Sequence, residues 1–278
     1  MGAADGAQAG DTEVILAAPG AGLRAHVRSY CGFRERTTAP VRRRELPFGG
    51  VAVILALDDE WWLGEEVAGD RPLTRHTSFV GGLIDGPVVS EHRGRAFTLQ
   101  FDLTPLGARA LFGVPGRELS GRVLAFDELL GRHAPLLVEQ LACAPTWPAR
   151  FALLDAFLLR RITAGPAPSP DVEWAWRRLT ASHGQVPIAD LVDELGCSPR
   201  HLAARFGEDV GMTPKAFGRL LRFERAVARL QRPGDELGRI AADCGFSDQA
   251  HFTRELRAFA GVPPTALLAE RSQAGFIL

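Results

Sequence analysis

Residues 236–264 read ELGRIAADCGFSDQAHFTRELRAFAGVPP, and the rest of the chain is organised around them. Leu237, Ile240, Ala241 and Cys244 recur at helical spacing. Gly245-Phe246-Ser247 breaks that pattern: the glycine tolerates positive φ at a helix end, and Ser247 is placed to cap the next helix. In that second helix Phe252, Leu256 and Phe259 form an inner stripe, leaving Gln249, His251, Thr253, Arg254 and Arg257 off it. Two helices joined by a tight turn, the second presenting amides and forked guanidinium groups outward, are the parts of a major-groove reader.

The layout occurs twice. Residues 188–214, IADLVDELGCSPRHLAARFGEDVGMTP, carry apolar Ile188, Leu191, Val192 and Leu195, then Gly196-Cys197-Ser198, then a helix with Leu202, Phe206 and Val210 inward. Gly196 matches Gly245 and Ser198 matches Ser247. After one extra residue in the second unit, Gly211 matches Gly261 and Pro214 matches Pro264. Between the units, residues 213–230 read as one helix of roughly 27 Å, with Ala216, Leu220, Phe223, Val227 and Leu230 on one arc and Arg219, Arg222, Arg225 and Arg229 on another. Such a spacer suits two recognition helices about one DNA turn, roughly 34 Å, apart.

The paired units, the connecting RFERAVARL at 222–230 and the terminal GVPP at 261–264 resemble the AraC family of bacterial transcription regulators. The resemblance covers about the last hundred residues. It implies a double helix-turn-helix DNA-binding domain preceded by a cupin-like sensor barrel whose following helices pair protomers. Carried over by position, the base-contacting residues are Arg200, His201 and Arg205 in the first unit and Gln249, His251, Thr253 and Arg254 in the second. Ala203-Ala204 departs from the long polar side chains common at those positions, so the second unit is expected to carry most of the specificity. Ser198, Lys215 and Ser247, at helix starts, and Arg222 and Arg257 are the expected phosphate contacts.

Composition constrains this reading. The chain has 278 residues, formal charge −1 and 46% hydrophobic residues, as expected of two ordinary globular domains. Residues 171–278 carry 14 basic and 14 acidic side chains, so any DNA-facing charge must be segregated by face. Cys31, Cys143, Cys197 and Cys244 are widely spaced, which fits reduced thiols rather than a disulfide scaffold or zinc site. No stretch approaches 18 apolar residues, and the start lacks the features of a secretion signal. A cytoplasmic location, with nucleoid association when DNA is bound, is the expectation.

The first half is β-like from about 27 to 102, with candidate strands at 51–57, 61–63, 77–80, 88–91 and 96–101, and helical from 106. Strands first and helices after indicate an α+β domain built on a small barrel or sandwich. The expected organisation is a flexible tail over 1–20, a sensor or dimerisation domain over 21–163, a proline-rich linker over 164–170, the all-α double helix-turn-helix domain over 171–270 and a tail over 271–278. Trp61, Phe79, Phe97 and Phe101 are the candidates for an effector pocket; as strand aromatics they serve equally as core. His76 and His92 stand alone without the clustered ligands of a metal-binding cupin, and no nucleophile elbow or phosphate loop is present. No catalytic residue, metal or cofactor is therefore expected. The helix over 151–162 places Leu154, Phe157, Leu158 and Ile162 on one face, either for its own domain or for a twin.

Taken together, the chain reads as a sequence-specific transcription regulator, not an enzyme, with double-stranded operator DNA, a second copy of itself and RNA polymerase as partners, controlled by a small-molecule effector or by dimerisation. Two alternatives stay open: a metal or small-molecule cupin enzyme with an appended DNA-binding domain, and a constitutive dimeric regulator without ligand.

Overall fold

The computed structural model describes residues 11–65, 72–232 and 234–273. Ten strands, β1 (Asp11–Ala17), β2 (Val27–Arg36), β3 (Val41–Glu45), β4 (Val51–Ala56), β5 (Trp61–Glu65), β6 (Thr74–His76), β7 (Phe79–Gly81), β8 (Val88–His92), β9 (Arg95–Leu103) and β10 (Val123–Ala125), form two antiparallel sheets. The larger runs β1-β2-β9-β4-β7-β10 and the smaller β3-β8-β5-β6. They face one another as an open sandwich rather than closing into the expected barrel. The domain is α+β, as its order of strands and helices implies. Residues 11–17 of the anticipated tail form the edge strand β1, whose alternation was hidden because Val14, Ile15 and Leu16 are all exposed on it. Residues 1–10 and 274–278 of the two proposed tails lie outside the described residues.

Strand alternation divides the aromatic residues between two cores. On β9, Phe97, Leu99 and Phe101 point towards the helices, whereas Ala96 and Thr98 point between the sheets. On β7, Val80 joins the first core and Phe79 the second. Trp61 fills the space between the sheets with Phe33, Leu63 and Phe79, and its Nε1 donates to Thr98 Oγ1 at 3.1 Å. Phe101 is fully buried, and Phe97 packs against Trp147 beneath the guanidinium groups of Arg34 and Arg150. Trp61, Phe79, Phe97 and Phe101 therefore do not converge on an effector pocket. Phe97 and Phe101 lie on the helix-covered face of the larger sheet, Phe97 partly buried, whereas Phe79 of that sheet and Trp61 of the smaller one fill the space between the sheets.

Helices α1 (Pro105–Phe112), α2 (Gly116–Leu119), α3 (Phe126–Leu130), α4 (His133–Cys143) and α5 (Trp147–Thr163) follow β9, with β10 between α2 and α3, and cover the outer face of the larger sheet. Gly32 lies under the Trp147 ring; a Cβ there would fall 2.5 Å from a ring carbon, so only glycine admits the close approach of α5 to β2. Leu154, Phe157, Leu158 and Ile162 are all buried in this domain's own core. Of the two uses open to this stripe, packing in its own domain is the one observed, and the opposite face of α5 carries Ala152, Leu153, Ala156 and Leu159 exposed.

Among the described residues seven helices follow: α6 (Pro170–Ala181), α7 (Ile188–Leu195), α8 (Pro199–Val210), α9 (Pro214–Leu230), α10 (Leu237–Asp243), α11 (Gln249–Ala260) and α12 (Pro264–Gln273). Their common core includes Leu191, Leu202, Phe206, Phe217, Leu220, Phe223, Phe252, Leu256 and Phe259, and it continues into the first domain through Leu83 and Leu106. Two ion pairs, Arg109–Asp209 at 3.2 Å and Arg117–Glu208, tie α1 and α2 to α8. A third, Arg28–Glu224, ties β2 to α9, while the Gly49 N–H donates to Glu224 Oε2 at 2.9 Å. The two domains are docked through the first helix-turn-helix unit and the central helix.

Candidate nucleic-acid interface

Each unit is built by the local chemistry of its ends. Gly196 closes α7 in the left-handed region (φ 60°), and its N–H donates to the carbonyls of Val192 and Asp193. Ser198 then caps α8, its hydroxyl oxygen accepting from the His201 N–H, with Pro199 in the first turn. Gly211 (φ 96°) and Gly261 (φ 76°), paired in the repeat, end α8 and α11, and Pro214 and Pro264 open the helices after them. The inner stripes Leu202/Phe206/Val210 and Phe252/Leu256/Phe259 are buried.

Helix α9, 17 residues and about 26 Å long, joins the two units. It grips α11 by two contacts: Phe223 stacks on Phe259 with centroids 4.9 Å apart, and Arg219 forks onto Glu255 through Nε and NH2 at 2.8 and 2.9 Å. Burial pushes the Glu255 carboxyl up, but the hydrogen bond and charge of Arg219 outweigh it and leave its pKa lowered. The tilt of α11 against α9 is therefore fixed by an ion pair that periodicity does not reveal, because its partners lie 36 residues apart.

The structure sorts the residues expected to touch DNA. Arg200, His201 and Arg205 are exposed on α8, and Gln249, Arg254 and Arg257 on α11. Lys215 is exposed in the first turn of α9. None of the arginines among these, nor Lys215, forms an ion pair within the described residues. Ala203 and Ala204 leave the middle of α8 with a short profile.

Four residues take other or narrower roles. Arg222 is half-buried; its NH1 donates to the Gly184 carbonyl at 2.8 Å and its guanidinium lies over Phe246 at 6.0 Å. It is a brace between α9 and the loop after α6 rather than a phosphate contact, because the side chain points into the helical core. Ser247 does not cap α11. Asp248 does, accepting from the His251 N–H at 2.6 Å, and that bond lowers its carboxyl pKa. Ser247 instead bonds Asp248 and His251, and a carboxylate at this helix start disfavours a phosphate there. His251 packs edge-on against Phe246 and accepts from the Ser247 N–H through Nδ1 at 3.3 Å, which leaves Nε2 as its outward donor. Thr253 donates its hydroxyl to the Gln249 carbonyl at 2.8 Å, leaving its methyl as the group free to meet a base. The Asp248 cap was legible three residues before His251; its neighbour Ser247 masked it.

Among the described residues no helix is long and apolar enough to cross a membrane, and no cluster of three metal-ligating side chains forms.

The helix-turn-helix domain family matches residues 191–270. The transcriptional activator RhaS of Pectobacterium atrosepticum is 38% identical over 80 residues, covering 28% of this chain and 29% of that protein. The chain's match thus spans less than a third of the length of this curated relative. Among solved structures, an AraC-type DNA-binding domain protein from Chromobacterium violaceum is 28% identical over 38% of this chain and 96% of its own, with a TM-score of 0.35. ToxT of Vibrio cholerae O395 is 11% identical over 93% of this chain and 97% of its own, with a TM-score of 0.46. Residues 191–270 are a helix-turn-helix domain.

Proposed function

We propose that the whole chain is a sequence-specific transcription regulator, without catalytic activity, in which α8 and α11 enter successive major-groove segments on one face of the duplex. The observation that carries this reading is the repeat: two helix-turn-helix units held by one continuous helix, each presenting unpaired arginine outward. Arg254 and Gln249 supply the main base contacts, forked to guanine and adenine respectively, with Arg200 as the reading residue of the first unit. His251 adds a single donor and Thr253 a methyl. Arg205, Lys215 and Arg257 hold the phosphates.

Protomers pair through the exposed face of α5, where Ala152 and Ala156 admit close approach and Leu153 and Leu159 supply apolar area. An effector acts by favouring one arrangement of the docked domains over another. Footprinting of the full-length protein on its genomic upstream region tests the core of the proposal. Two protected segments about one helical turn apart per protomer are expected, and Arg254→Ala is expected to weaken specific binding by about 1–3 kcal/mol. Unselective protection, or full affinity in Arg254→Ala, overturns it.

A further inference from the structure

The two sheets have four edges, and they are not alike. β10 is three residues long and runs straight into α3, and β6 is also three residues long. β3 carries Arg42, Arg43 and Arg44, and Arg44 donates through Nη1 to the Ala260 carbonyl at the end of α11, 3.1 Å away. Short strands, charge and cover are the usual means by which an edge avoids pairing. β1 has none of them over its second half. It is seven residues long, ends in Val14-Ile15-Leu16-Ala17, and among the described residues only β2 pairs with it. Val14, Ile15 and Leu16 are exposed, Leu16 to 60%.

Side chains opposite one another in register share a face of the sheet. Val14 and Leu16 stand opposite Phe33 and Cys31, on the side of the space between the sheets, where Phe33 packs. Ile15 stands opposite Gly32, on the side covered by Trp147 of α5. A continuous apolar run is the pattern of a strand covered on both faces and paired on both edges. Here it occupies an edge.

Two features select a second copy of this chain as what covers it. The first is self-complementarity. In antiparallel register about Ile15, Val14 faces the partner's Leu16, Ile15 its own counterpart and Glu13 the partner's Ala17, so apolar residues meet one another and no two acids stand opposite. The second is continuity with α5. Asp155 accepts from the Gly20 N–H at 3.2 Å and from the Tyr30 hydroxyl at 2.6 Å, Tyr30 lies opposite Ala17, and Leu159 lies against Gly22. The exposed face of α5 therefore begins where β1 ends.

We infer that two copies join β1 to β1, antiparallel about Ile15, so that their two six-stranded sheets become one continuous sheet. This rests on the pairing proposed above and specifies it. The two-fold axis of an antiparallel strand pair is perpendicular to the sheet and leaves corresponding faces on the same side. Both α5 helices then lie on one face of the joined sheet, flanking the joint, and one axis serves both contacts. The strand edge fixes the register, and the Ala152, Ala156 and Leu159 face adds apolar area.

Sedimentation velocity and residue-resolved hydrogen exchange of the full-length protein test this. The wild type is expected to sediment as a dimer and Val14→Lys/Leu16→Lys as a monomer, since lysines on an edge oppose strand pairing. Both positions are exposed, and thermal unfolding checks that the variant is folded. In the wild-type dimer, alternate backbone amides of residues 12–16 are expected to exchange at least about tenfold more slowly than in the same protein diluted to monomer. Contact through α5 alone gives no such alternation. A dimer without alternate protection in β1, or a folded Val14→Lys/Leu16→Lys variant that stays dimeric, overturns the strand joint and leaves pairing through α5 standing. A wild type that sediments only as a monomer overturns both.

Discussion

Replacing Asp209 with alanine should loosen the docking of the two domains and cost about 3 kcal/mol. Asp209 sits one residue from the end of α8, where a negative charge opposes the helix dipole and is by itself unfavourable by about 0.3–1 kcal/mol. It is nonetheless buried, its side chain 7% exposed, because it faces the first domain. Its Oδ1 lies 3.2 Å from Arg109 Nη1 at the end of α1, and its Oδ2 accepts at 3.2 Å from the N–H of Ser169, the N-cap of α6. Removing the carboxylate leaves the Arg109 guanidinium largely buried without its partner, and its Nε already has none. Breaking a buried pair from one side costs about 3–5 kcal/mol, and the partial exposure of Arg109, 21%, places this one at the lower end. Asp209→Asn keeps the shape but only one acceptor, so its amide NH2 meets either the Arg109 or the Ser169 N–H donor to donor, and it should cost about 1–3 kcal/mol. Urea unfolding of the full-length protein, followed by fluorescence and by helical circular dichroism, measures both. The double-mutant cycle with Arg109→Met should return a coupling of at least about 1 kcal/mol. Additivity of the two substitutions within about 0.3 kcal/mol refutes the argument that this pair docks the domains.

Three further outcomes rest on the same kinds of contact. Arg257→Ala should flatten the dependence of log affinity on log salt by about 1, whereas Arg222→Met should leave that slope unchanged and lower the thermal midpoint, since Arg222 braces Gly184. In the sheet sandwich, burial raises the Glu35 carboxyl, but hydrogen bonds from His92 (2.5 Å) and Arg43 (2.6 Å) and the Arg43 charge prevail and bring it to about 2, below the ordinary 4.5. A depressed carboxyl stabilises the fold above its unfolded pKa, so on the order of 3 kcal/mol should be lost as pH falls from about 4.5 to about 2, and Glu35→Gln should remove that acid limb in unfolding titrations. Leu159, 48% exposed on α5, becomes glutamate at under about 0.5 kcal/mol of fold stability but should convert the dimer to monomer in sedimentation velocity; an unchanged sedimentation coefficient removes α5 as the pairing face.

The second half of the chain was legible because its information is local. Glycine at the turns, a cap, a proline and apolar residues three and four apart each constrain a neighbour within one or two helical turns, and the repetition doubles the signal. The first half was legible only in class. β1 escaped notice because an edge strand exposed on both faces has no alternation to read. β2, β3 and the open pairing of the sheets depend on register between residues far apart, such as Tyr30 opposite Phe101. Whether the four aromatic residues form a pocket or core was open for the same reason: they share a composition, but Phe97 and Phe101 face the helices, while Phe79 and, from the other sheet, Trp61 face the space between the sheets. Arg222 was misassigned because helical phase fixes an angle around α9 and not whether a neighbouring loop covers that angle.

The neutral charge of the reader, which counts against DNA binding when only totals are compared, is explained by how the pairs are distributed. Arg177, Arg178, Arg219 and Arg229 are matched by Glu173, Glu194, Glu255 and Asp235, and Glu208, Asp209 and Glu224 are matched by arginines of the first domain. Each acid engaged in this way is withdrawn from the field felt outside. Among the described residues of the helical domain the cations without an ion pair are Arg200, Arg205, Lys215, Arg254 and Arg257, on α8, α11 and the start of α9, together with Arg222, Arg225 and Arg232 further along and just after α9. The docked first domain therefore contributes to the interface without touching it. By pairing with Glu208 and Asp209 on α8 and Glu224 on α9, it removes three acids from the field of the helical domain, and undocking would expose them. Domain arrangement and affinity for a polyanion are in this way coupled by electrostatics alone, independently of any difference in helix spacing.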